Sequence, residues 1–144
     1  FREGKAQVSP MRAGQTHATA IRIGNPVSAP RAMAALAAMR GVAEEATEDE
    51  LADAAARADR AGLYTCPHTG VAIACAAKLR ACGVIAEGES VVVVSTASGL
   101  KFTEFKLAYH ERRAADVTST LANEPIALPA DVERVRERVR SFGA

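Results

Sequence analysis

The spacing of apolar and polar positions changes several times along the chain, and each change predicts an element. His17 to Ile23 (HATAIRI) reads as a short strand or loop that stops at Gly24-Asn25-Pro26, a turn signal. Ser28 is placed to cap a helix with Pro30 in its first turn, and Met33, Leu36 and Met39 recur at helical spacing up to Gly41. Gly41 to Ala46 (GVAEEA) predicts a strand. Thr47 and Glu50 then form a capping box that opens an Ala-rich helix through about Arg60. Leu63 to Cys66 is a short extended piece broken by Pro67. Thr69 to Cys82 is almost entirely apolar or small, which predicts a buried helix ended by Gly83.

The valine run Val91–Val94 is the strongest strand signal. A continuous β-branched run marks a strand buried on both faces of a parallel sheet, and such sheets carry ligands at the carboxyl ends of their strands. That places Ser95 and Thr96 where a ligand is expected. A helix from about Lys101 to Arg112 follows, then loop-like sequence from Asp116 to Pro129. Val132, Val135, Val139 and Phe142 recur at i, i+3, i+7 and i+10, a narrow apolar stripe on a charged helix expected to pack on the domain surface. Strand and helix thus alternate, so the predicted class is α/β with a parallel sheet. The chain divides into an irregular segment over residues 1–16, an α/β part over 17–113, and a loop with an amphipathic helix over 114–144.

Composition narrows the functional classes. A length of 144 residues with 49% hydrophobic positions suffices for one core. A net charge of +1 argues against a polyanion-binding surface, so nucleic acid is not expected as a partner, although Arg134 to Arg140 (RVRERVR) is locally basic. No apolar stretch approaches the roughly 20 residues that span a bilayer, so no membrane is expected either. Three cysteines with no signal peptide predict a reducing cytoplasm rather than a disulfide framework. The first residue is Phe1, and the aperiodic residues that follow suggest a chain that begins within a longer protein.

Chemistry is less legible. Cys66, His68, Cys75 and Cys82 are metal-ligand types, but their spacing matches no zinc pattern and no metal site is assigned. His68, in TCPHTG between an extended piece and a helix start, can line a pocket or be an ordinary loop histidine; His17 and His110 read as ordinary. Ser95 to Gly99 (STASG) offers small residues and hydroxyls suited to an anion, yet neither GxxxxGK[ST] nor GxGxxG is present.

Ala18–Ser28 (ATAIRIGNPVS), Gly41–Leu51 (GVAEEATEDEL), Leu63–Ala72 (LYTCPHTGVA) and Val92–Phe102 (VVVSTASGLKF) together resemble, in order and spacing, consecutive segments of the threonine synthase family. That family belongs to the fold type II pyridoxal-phosphate enzymes, which are similar to the tryptophan synthase β subunit. The resemblance covers roughly Gly14 to His110 and implies the C-terminal portion of such an enzyme. It implies an open, mostly parallel sheet with flanking helices, pyridoxal 5'-phosphate as cofactor, O-phosphohomoserine as substrate, and a homodimer. The family's lysine that bonds the cofactor, its asparagine at the phenolic oxygen and its glycine-rich phosphate cradle would lie in an N-terminal part, the partner of this portion. Lys5, Lys78, Lys101 and Lys106 match none of the catalytic positions, so no catalytic residue is assigned here and the portion alone is expected to be inactive.

By the same resemblance Thr96 stands where a hydroxyl bonds the pyridine nitrogen of the cofactor, with Ser95 in support. A neutral hydroxyl there implies an unprotonated nitrogen and a moderate electron sink. His68 and Thr69 are implied as pocket-lining residues and Thr19 as a polar residue on the opposite wall. Ala97 and Ser98 depart from the family's usual glycine and histidine. Two alternatives stand beside this reading: a non-catalytic α/β binding module, and a related lyase acting on serine or threonine.

Overall fold

A computed structural model describes residues 1–5 and 7–142. Five α-helices account for its regular structure: α1 (Ala29–Ala38), α2 (Glu48–Arg60), α3 (Pro67–Ala81), α4 (Thr103–His110) and α5 (Val132–Arg140), with short 3-10 turns at Thr19–Ile21 and Gly99–Phe102. The predicted parallel sheet does not form among the described residues, where the single β contact is an antiparallel bridge between Thr65 and Ser98.

That correction has a plain cause. A β-branched run becomes a strand only where neighbours supply ladder partners, and Val91–Thr96 makes no backbone hydrogen bond to any described residue. Val91, Val92 and Val94 are 50%, 90% and 73% exposed, the opposite of a strand covered on both faces. Gly41–Ala46 likewise lies outside any sheet. An α/β open sheet is therefore not the architecture of these residues on their own.

The helices fare differently because their bonds are local. Thr47 accepts the Glu50 amide while the Glu50 carboxylate accepts the Thr47 amide, so the capping box at the start of α2 forms as its sequence demands. Leu51, Ala52, Ala54, Ala55, Ala56 and Ala58 of α2 are buried, and α3 packs against them. Small residues permit the approach: a Cβ on Gly70 would meet the Leu51 carbonyl oxygen at 2.3 Å. On α3 itself only Pro67, Thr69, Gly70 and Ala74 are fully buried, so the helix is one-sided rather than enclosed.

Ala18, Leu51, Ala52, Ala56 and Tyr109 form the centre of the core, flanked by Val71, Phe105, Val117 and Leu121. The segment after α4 is stitched to α2 by polar bonds: the Thr118 amide donates to Asp49 at 2.5 Å, and the Tyr109 hydroxyl donates to Asp53. Lys106, 3% exposed, pairs with Asp59 at 2.6 Å and lies over the Tyr64 ring. The stripe of α5 remains uncovered, with Val132, Val139 and Phe142 between 64% and 71% exposed. No described helix is long and apolar enough to cross a membrane.

Candidate functional site

The residues that share chemistry converge at the start of α3. Pro67 occupies its first turn, where a missing N–H costs nothing, and Cys66 stands at the N-cap with extended backbone. One helical turn later Thr69 returns to the same face, so its hydroxyl lies 3.3 Å from the Cys66 sulfur. The Thr65–Ser98 bridge, with the Gly99 amide donating to the Tyr64 carbonyl at 2.9 Å, holds the residues after the valine run alongside. Gly99 is needed for that approach, because a Cβ there would meet the Thr65 carbonyl oxygen at 2.7 Å.

Ser95 is brought to 3.1 Å from the Thr69 hydroxyl, across 26 residues of sequence. Thr96 follows Ser95 in the same loop. The result is a row of one thiol and two hydroxyls, with Cys66 and Thr69 buried behind, Ser95 exposed in front, and Thr96, also exposed, next to it in the chain. Burial pushes the Cys66 thiol up, but hydrogen bonds from the Thr69 hydroxyl and amide, from His68 and from Thr96 outweigh it and pull the thiol down to about 6.

His68 closes one flank. Its Nε2 accepts the Ala20 amide at 2.8 Å, which assigns the ring proton to Nδ1, and the ring meets Phe102 edge-on at 5.1 Å between centroids. Thr19, next to Ala20, does not join the row; it borders an open cleft of about 610 Å³ shared with Lys101, Phe102, Thr103 and Arg113. A larger hollow of about 870 Å³, between the N-terminal segment and α1, touches none of these residues.

Of the predicted positions, then, Thr69 and Ser95 are brought together, Thr96 is the next residue after Ser95, His68 is adjacent to Thr69 in the chain, and Thr19 stands apart. Cys66 is the member that sequence reasoning passed over, having considered it only as a metal ligand. The one local signal was a cysteine at the N-cap directly before a proline. Cys75 and Cys82 lie further along and beyond α3, half-buried and exposed. His17 and His110 tie backbone: His17 Nε2 pairs with the Ala115 carbonyl at 3.0 Å, and His110 Nδ1 accepts the Asn123 amide at 3.0 Å. Lys5, Lys78 and Lys106 are engaged with Glu3, Glu50 and Asp59.

No family model matches the chain. Individual proteins do, along nearly its whole length. It is 46% identical over 138 residues to threonine synthase 2, chloroplastic, of Arabidopsis thaliana, which covers 96% of this chain and 27% of that protein. It is 38% identical over 143 residues to a threonine synthase of Methanocaldococcus jannaschii, covering 99% of this chain and 32% of that one. The chain is homologous to a portion of threonine synthase. A third threonine synthase, from Methanosarcina acetivorans, is 33% identical over 142 residues, covering 96% of this chain and 32% of its own length. The chain thus spans between a quarter and a third of these threonine synthases, which fits a C-terminal portion. The segments predicted as strands but found without ladder partners belong to a sequence whose relatives are about three times longer.

Proposed function

We propose that the protein containing these residues is a cytoplasmic lyase that converts O-phospho-L-homoserine and water to L-threonine and phosphate, using pyridoxal 5'-phosphate and working as a homodimer. The observation that carries this reading is the similarity to threonine synthases along nearly the whole chain. The three free cysteines suit a reducing compartment.

The donor set suits the cofactor. Ser95 and Thr96 are exposed, neutral and small, and the groups bonded behind them are a thiol and a hydroxyl rather than a carboxylate. When bound, the cofactor supplies the electron sink that lets protons leave the substrate carbons nearest its amino group. The Thr96 hydroxyl would bond the ring nitrogen and so orient the ring, with Ser95 holding the loop against Thr69. His68 and Thr69 would wall one side and exclude water there, and Thr19 would face the adjoining cleft. Proton transfer at the substrate needs a base, and by the family resemblance none of Lys5, Lys78, Lys101 and Lys106 stands at a catalytic position, so this chain binds and orients while another part of the protein moves protons.

The full-length protein, supplied with pyridoxal 5'-phosphate and O-phospho-L-homoserine, is expected to release threonine and phosphate in equal amounts. Thr96→Val should lower turnover by roughly tenfold, the worth of one hydrogen bond to a charged or charge-developing group. Absence of both products from the wild-type protein defeats the proposal. The 144 residues alone should form no threonine, and turnover by them would overturn the assignment of a binding role.

A further inference from the structure

We infer that Asp59 and Lys106 are positioning residues: their buried ion pair fixes the main chain at Thr65 and, through it, the loop that carries Ser95 and Thr96. The inference rests on the functional reading above and deepens it by naming what sets the geometry of that site from outside.

Ser95 and Thr96 end a segment with no ladder of its own, so their placement has to come from neighbours. Hydrogen bonds fasten the loop at two places. The Ser95 hydroxyl meets Thr69 at 3.1 Å, and the main chain of Ser98 and Gly99 meets Thr65 and Tyr64, with the Gly99 amide 2.9 Å from the Tyr64 carbonyl. Both contacts are only as fixed as the stretch from Tyr64 to Thr69 that receives them. That stretch leaves α2 through a turn in which Gly62 takes a φ of 86°. The Thr65 side chain does not anchor it, since its buried hydroxyl has no partner among the described residues. The main chain does: the Thr65 amide donates to Asp59 Oδ1 at 3.2 Å.

Asp59 can hold that amide in one place only if its own carboxylate is held. Lys106 does this from α4, donating from Nζ to Asp59 Oδ2 at 2.6 Å while lying 5.1 Å from the centre of the Tyr64 ring. The two side chains are 4% and 12% exposed, so water and salt screen the pair little. Helix α4 starts at Thr103, just after the loop, and the contacts therefore close a circuit. Chain connectivity joins Ser98 to Lys106, charge joins Lys106 to Asp59, an amide joins Thr65 to Asp59, and the bridge returns from Thr65 to Ser98. A closed circuit of this kind sets where the loop stands relative to α3. Stability alone does not call for a buried ion pair, because apolar groups of similar size often serve as well. What they cannot supply is an acceptor for the Thr65 amide.

The test compares two double variants of the full-length protein. Asp59→Leu with Lys106→Met replaces the pair by apolar groups of similar size and removes the acceptor. Asp59→Asn with Lys106→Met removes both charges but keeps an oxygen for the Thr65 amide, so the two variants differ at residue 59 alone. Assayed with pyridoxal 5'-phosphate and O-phospho-L-homoserine, the first is expected to lose roughly tenfold in kcat with little change in KM, and the second to recover to within about threefold of wild type. Thr96→Val added to the first variant should cost less than about threefold, against the roughly tenfold it costs wild type, because the hydroxyl it removes is already misplaced. Should the first variant fail to fold by circular dichroism, Asp59→Ala with Lys106→Met, which also lacks the acceptor, carries the comparison. Equal kcat in the variants with and without the acceptor, or a Thr96→Val loss that multiplies in full, overturns the inference and leaves the functional reading standing. No threonine from wild type overturns the functional reading, and this inference with it.

Discussion

Tyr109 ties the sequence after α4 to the core with one hydroxyl. Its ring is 2% exposed, and the hydroxyl donates to Asp53 while accepting the Leu121 amide at 3.0 Å. Burial pushes the phenol up, and the Asp53 carboxylate adds to this, bringing it to about 12. An unfolded tyrosine titrates near 10. Between those values the folded chain keeps a proton that the unfolded chain gives up, so stability is intact below about pH 10 and falls as pH rises toward 12. Thermal melts followed by circular dichroism should show Tm dropping over that window. Tyr109→Phe should flatten part of the slope, with Tyr64, also raised by burial and by Asp59, supplying the rest. At pH 8 the same variant should cost about 1–2 kcal/mol, because the Leu121 amide and Asp53 lose a partner. A slope unchanged by the substitution refutes the assignment. None of this was legible in the sequence, where Tyr109 is merely one aromatic in a short helix. Thr69, Ser95 and Thr96 could be singled out from turn and strand-end positions, but the contact joining Thr69 to Ser95 crosses 26 residues and no local pattern announces it.

Among the elements, what was readable is what closes locally. The capping box of α2 needs only Thr47 and Glu50, and α3, expected from Thr69, forms from Pro67, two residues earlier. Strands need partners far along the chain, which is why Gly41–Ala46 and Val91–Val94 carry strand sequence without strand structure. Gly70 has the same non-local character. Within α3 it looks like a helix-weakening residue, yet it is the point where α3 meets the Leu51 carbonyl of α2. Intrinsic propensity alone predicts that Gly70→Ala stabilises α3 by up to about 1 kcal/mol. The packing predicts the reverse: a Cβ 2.3 Å from a backbone oxygen and 3.2 Å from the Ala55 Cβ cannot be met by moving a flexible side chain, so the helices must separate. Overpacking of this kind costs about 1–3 kcal/mol. Urea titration of the wild type and Gly70→Ala decides between them by the sign of the change in midpoint.

At the scale of the molecule, covered and uncovered surfaces are unevenly distributed. Helices α2, α3 and α4 bury a shared core, whereas Val92 and Val94 stand 90% and 73% exposed on a segment whose backbone groups pair with none of the described residues. The apolar stripe of α5 is open as well. Those two surfaces differ in kind. An exposed helix stripe presents side chains only, its backbone bonds being internal, while an extended valine run presents both apolar side chains and a row of free N–H and C=O groups, the combination that templates strand pairing between chains. Association of the 144-residue polypeptide should therefore proceed mainly through Val91–Val94, not through α5. Sedimentation velocity at micromolar concentration is expected to show oligomers, and the double variant Val92→Lys with Val94→Lys, which places charge on both exposed positions, should return most of the material to monomer. Val135→Lys with Val139→Lys on α5 should leave the distribution nearly unchanged. A monomeric wild type, or oligomers relieved by the α5 changes alone, would show that unpaired backbone is not what drives these chains together.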